Sequence, residues 1–174
     1  RDMSGFIIGH LRPVALPITK LDTGKIELKD VAELRKEGKV HMAIWLEKGQ
    51  QYWEKLSSQK SIKNYPRLID WLNYQDKLVK QGTGRYAVLY PASGTHLSGC
   101  MVDRKKIPRF KVNGQFIESN GFFADHKTYV YYTDSEQEAL YLVGIFNSTI
   151  MNERIKSSQS MGTLEPRDIH KRPL

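Results

Sequence analysis

A chain of 174 residues with 40% hydrophobic and 26% charged side chains has the makeup of a globular domain. A single cysteine, Cys100, excludes an internal disulfide and Cys-rich zinc sites, and no apolar run reaches the roughly 18 residues a membrane helix needs. The net charge of +8 is most one-sided in residues 81–130, which hold seven basic and three acidic side chains.

That imbalance suits a polyanionic partner, although a solvated basic surface that only keeps the protein soluble is the plainer alternative. Arg1-Asp2-Met3-Ser4-Gly5 lacks a basic region followed by an apolar stretch, so no signal peptide is expected and a cytoplasmic location is. A first residue that is not methionine, and an end at Lys171-Arg172-Pro173-Leu174 with no helix stop, lead us to expect a segment of a longer protein.

In chain order, residues 5–9 read as a strand, followed by a loop marked by Pro13 and Pro17. Asp30 is placed to cap a short helix through Glu37, ended by Gly38. Val40 to Leu46 is an apolar run that fits either a strand or a buried helix, and residues 50–60 look helical and polar. Pro66 opens a helix in which Leu68, Ile69, Trp71, Leu72, Leu78 and Val79 mark an apolar face, ending before Gly82 and Gly84. Lys77 and Lys80 near its end suit either the helix dipole or a phosphate.

The centre changes period. Arg85 to Tyr90 and Leu97 to Val102 read as strands joined by the turn Pro91-Ala92-Ser93-Gly94-Thr95. Asn113-Gly114 predicts a hairpin between Phe110–Val112 and Gln115–Ile117, and Lys127 to Tyr132 forms another strand. Ser135 and Glu138 have capping-box spacing ahead of a helix with Leu140, Val143, Phe146 and Ile150 as its apolar stripe. Asn147-Ser148-Thr149 interrupts it before a second helix through Lys156, with Gly162 as a break and Pro166 starting a final turn. The expected fold is α+β, a twisted mixed or antiparallel sheet flanked by helices, with the whole of 1–174 as one domain.

Catalytic signatures are sparse. Gly82-Thr83-Gly84 follows a helix and precedes a strand, the reverse of a dinucleotide-binding turn. His10, His41, His96, His126 and His170 are too scattered for a metal cluster, and no Gly-x-Ser-x-Gly elbow occurs. Asp103, followed later by Asp125-His126-Lys127, loosely matches the two-carboxylate and lysine pattern of metal-dependent nucleases. The denser signal is Arg104, Lys105, Lys106, Arg109 and Lys111 beside the hairpin, interleaved with Tyr86, Tyr90, Phe110 and Phe116. Such cations hold phosphates while hairpin side chains reach base edges.

Several stretches together carry a resemblance. They are Tyr74 to Gln81, Leu89 to Thr95, Asp125-His126-Lys127-Thr128-Tyr129, Glu138 to Ser148, Ile155-Lys156, Gln159-Ser160-Met161-Gly162 and Arg167-Asp168-Ile169-His170-Lys171. As a set they resemble the target-recognition region of large adenine-specific DNA methyltransferases of restriction-modification systems. The likeness covers roughly residues 50–174 and leaves 1–49 as a poorly matched lead-in. In that family the S-adenosylmethionine site and the Asn/Asp-Pro-Pro-aromatic catalytic motif lie on a separate domain, and neither occurs in this chain. The resemblance therefore implies binding of double-stranded DNA for a catalytic domain of the same parent chain, with no cofactor in this segment. Together with the basic run, Lys80, Ser93, Thr95, Arg167 and Lys171 complete the expected DNA contacts, Arg167 having Glu165 and Asp168 as rival partners. A nuclease domain and a protein-interaction domain with an incidental basic surface are the alternatives.

Overall fold

The computed structural model describes residues 11–21, 25–93, 96–125 and 127–156. These residues form two compact units: one runs from Val14 to Gln81, the other takes Gly82 onward with residues 11–13. The expected strand over residues 5–9 and everything after Lys156, including Gly162 and Pro166, lie outside the described residues.

The first unit is mainly helical. A small antiparallel pair, β1 (Ile18–Lys20) and β2 (Ile26–Leu28), precedes α1 (Val31–Lys36), α2 (Val40–Leu56), α3 (Gln59–Asn64) and α4 (Leu68–Leu72). Asp30 caps α1 as its sequence suggests: it accepts from the Glu33 N–H, while the Glu33 carboxylate takes the Asp30 N–H. The ambiguous run at Val40 is helical and continues through the polar stretch as one element. Its inner face, Ala43 and Leu46, packs with Leu34 and Ile69 into a small core.

The helix expected from Pro66 to Val79 stops at Leu72. Asn73 ends it: its side-chain oxygen accepts the Val79 N–H, and Gln75 and Asp76 adopt φ of 55° and 59°. A short polar side chain that bonds nearby backbone offers the chain an alternative to the helical ladder. Lys80 consequently sits on a turn, paired with Asp76 at 3.1 Å, and not on a helix end.

The second unit is built on a three-stranded antiparallel sheet. Its strands are β3 (Tyr86–Pro91), β4 (Cys100–Asp103) and, after a separate hairpin of β5 (Phe110–Val112) and β6 (Gln115–Ile117), β7 (Thr128–Thr133). The sheet order is β4-β3-β7, with α5 (Glu136–Phe146) and α6 (Thr149–Lys156) following. Both faces of β3 are covered, so its sequence shows no alternation of polar and apolar residues. Tyr86 and Val88 face Ala139, Val143, Phe146 and Ile155; Ala87 and Leu89 face Val102, Cys100 and Phe122. Burial pushes the Cys100 thiol up to about 11, leaving it without the thiolate that reacts near neutral pH. The architecture is thus α+β, small antiparallel sheets flanked by helices, as the sequence leads one to expect.

Two details of α5 depart from expectation. Ser135 caps the Glu138 N–H at 3.2 Å, but the Glu138 carboxylate turns to the Tyr131 and Thr133 hydroxyls instead of closing the box. The buried face of α5 is Ala139, Val143 and Phe146, whereas Leu140 is exposed, and Ile150 falls on α6 and is exposed as well. Val143 and Phe146 thus keep their expected places, and Ala139 takes the inward position expected of Leu140.

Candidate nucleic-acid interface

Asp103 closes β4 and organises the turn that follows. Its carboxylate accepts two bonds from the Arg85 guanidinium at 3.2 and 2.8 Å and one from the Lys105 N–H at 3.0 Å. Arg85 across the strand pair holds the Asp103 carboxyl below the usual carboxylate range. Backbone bonds from Arg104 N–H to Arg85 C=O and from Lys106 N–H to Asp103 C=O complete the turn. The basic run therefore leaves the sheet from a fixed point.

Within the run the cations divide. Arg104 is half-buried, and its guanidinium donates to the carbonyls of Gly82 at 2.8 Å and Gly84 at 2.7 Å. It also lies 5.1 Å from the centre of the Tyr132 ring. A side chain at position 82 would strike that ring, since a Cβ there falls 2.3 Å from it. Arg104 is thus a clamp within the protein. Lys105, Lys106, Arg109 and Lys111 are exposed. Lys106 is 3.9 Å from Asp103 with three-quarters of its side chain open (75%), and Arg109 pairs with Glu118 at 2.9 Å in solvent. The Arg109–Glu118 pair, exposed on both sides, is worth about 1 kcal/mol or less, so a phosphate can replace its carboxylate.

The hairpin carries Lys111 on β5. Asn113 and Gly114 have φ of 48° and 84°, the doubly left-handed turn that Asn-Gly favours. Of the interleaved aromatics, Tyr86 is buried, Tyr90 packs on Phe146 and Tyr129, Phe110 is half-buried, and Phe116 is 70% exposed. Ser93 is exposed on the turn after β3, while Thr95, Arg167 and Lys171 lie outside the described residues.

The nuclease pattern is not assembled. Asp103 pairs with Tyr86 at one end of β3, and Thr128, next to the Asp125 turn, pairs with Pro91 at the other. Five residues of strand separate these ends by about 16 Å, too far for two carboxylates to share one cation. Asp125 instead closes its own turn, accepting from the Lys127 N–H and the Thr128 hydroxyl. Among the described residues no group of three or more His, Cys, Asp or Glu is placed to hold a metal ion.

One polar device has no clear signal in the sequence. The Asn147 side chain exchanges two hydrogen bonds with the backbone of Gly99, at 3.0 and 2.8 Å, and Asn152 does the same with Leu97, at 2.7 and 2.9 Å. Two amides thereby act as a substitute strand for the segment entering β4. Gly99 is required there, because a Cβ would lie 2.9 Å from the Phe146 ring. The Asn-Ser break between the two helices is visible in the sequence, but not that its amide faces inward.

No family model, curated protein or solved structure matches the chain. Among the described residues, no helix is long and apolar enough to cross a membrane.

Proposed function

We propose that the chain is a DNA-binding target-recognition segment of an adenine-specific DNA methyltransferase, holding duplex DNA for a catalytic domain of the same parent chain. S-adenosylmethionine would bind that catalytic domain, and the target base must be drawn out of the helix before it can react there. The observation that carries the reading is the run after β4: Lys105, Lys106, Arg109 and Lys111 all stand at the surface, within seven residues, beside a hairpin. The family likeness supplies the methyltransferase context.

The test is duplex binding as a function of salt. Replacing Lys105, Lys106 and Lys111 together by alanine should weaken binding and flatten the slope of log affinity against log salt by about 0.9 for each phosphate no longer neutralised. An unchanged slope would place the DNA-binding surface elsewhere.

A further inference from the structure

The β5–β6 hairpin pairs with no other strand among the described residues. Its register sets Lys111 directly opposite Phe116, with Phe110 opposite Ile117 and Val112 opposite Gln115 on the alternate face. Phe110 and Val112 are half-buried and their partner Ile117 is 48% exposed against 70% for Phe116, so of the two faces the Lys111–Phe116 face is the outward one. The next pair on the outward face is Arg109 with Glu118, whose 2.9 Å contact cancels the one acidic charge there. An aromatic ring that is 70% exposed is thus flanked by cations on a narrow ribbon ended by a tight Asn-Gly turn.

Those features fit one occupant. Cations at the margin match phosphates, and an apolar ring between them matches the base edges that phosphates border. Width decides which groove. A two-stranded ribbon fits the major groove, about 12 Å wide, of undeformed DNA, whereas the minor groove, about 6 Å wide, would have to be forced open at the cost of unstacking base steps.

We infer that the β5–β6 hairpin enters the DNA major groove, with Phe116 as its apolar contact to base edges and Lys111 on the adjoining backbone. The inference rests on the DNA-binding reading above. Major-groove contact of this kind gives selectivity among base pairs, which phosphate contacts alone do not.

The experiment uses the full chain and one duplex of mixed sequence in three forms: unmodified, with glucosylated 5-hydroxymethylcytosine filling the major groove, and saturated with distamycin in the minor groove. The glucosylated duplex should bind at least about tenfold more weakly, and distamycin should have no effect. Phe116→Ala should lower affinity for the unmodified duplex about tenfold without changing the salt slope, and Phe116→Leu should restore most of it. Equal binding of the plain and glucosylated duplexes, displacement by distamycin, or wild-type affinity in Phe116→Ala would each overturn the inference. Failure of the wild-type chain to bind the unmodified duplex would instead sink the DNA-binding reading, and this inference with it.

Discussion

The joint between α5 and the sheet and the basic run after β4 use polar side chains in opposite ways. At the joint, Asn147 and Asn152 turn both amide atoms onto backbone that the sheet leaves unpaired. In the run, Lys105, Lys106, Arg109 and Lys111 keep their charges in solvent, in contacts that cost little to exchange. Arg104 belongs to the run by sequence and to the first kind by structure, because two glycine carbonyls lie within its reach. A residue's neighbours in space, more than its type, set whether its charge serves the fold or a partner.

The largest effects are expected at the joint. Phe146→Ala should cost about 3–5 kcal/mol, as for other large-to-small core changes. Asn152→Ala strips the Leu97 N–H and C=O of their partner, and two part-buried unpaired groups should cost about 2–4 kcal/mol. Urea unfolding followed by circular dichroism checks both. A loss under about 1 kcal/mol for Asn152→Ala would mean that water replaces the amide and that the joint is no more committed than the surface.

A sharper form of the comparison sets Arg104 against its neighbour. Arg104→Met removes two charge-assisted hydrogen bonds and should cost about 1.5–3 kcal/mol of stability while leaving the salt slope of DNA binding unchanged. Lys105→Ala should change stability by less than about 0.5 kcal/mol and flatten the slope by about 0.9. Both are read from one urea titration and one salt titration per variant. The opposite pattern would mean that Arg104 leaves its carbonyls to meet phosphate.

How much of the molecule is legible in its sequence follows from the range of each interaction. Asp30, Asn113-Gly114 and Ser135 are readable because caps and tight turns are settled within three or four residues. The strands around Val88 and Val130 are readable from β-branched and aromatic composition. The end of the helix at Asn73 is not, since its amide bonds six residues ahead and overrides the apolar spacing. In the candidate site, the positive run is plain, but its division is hidden. Arg104 meets carbonyls 22 and 20 positions away, and Asn152 meets Leu97 at 55. Only the fold brings such pairs together. Phe116 stands out only once its three companion aromatics prove buried or half-buried.

An effect read from its pH dependence tests the point where the two regions meet. Asp103 ends a strand of the sheet and begins the basic run, and Arg85 holds its carboxyl below the ordinary value. Its side chain is only 11% exposed, which limits the screening of that pair by solvent. A carboxyl depressed in the folded state releases its proton at a lower pH folded than unfolded. Its contribution to stability is therefore complete above the unfolded value, about 3.9, and is lost as the pH falls from there through the folded value. Asp103→Asn should accordingly be less stable than wild type at pH 7, and the gap should narrow as the pH drops below about 4. Urea midpoints for both proteins at pH 7, 4 and 2.5 measure this. A gap that stays constant over that range would show that Asp103 acts through hydrogen bonds its amide cannot reproduce, with no part played by its charge. The turn would then be anchored by shape, and the basic run would leave the sheet without an ion pair to fix its direction.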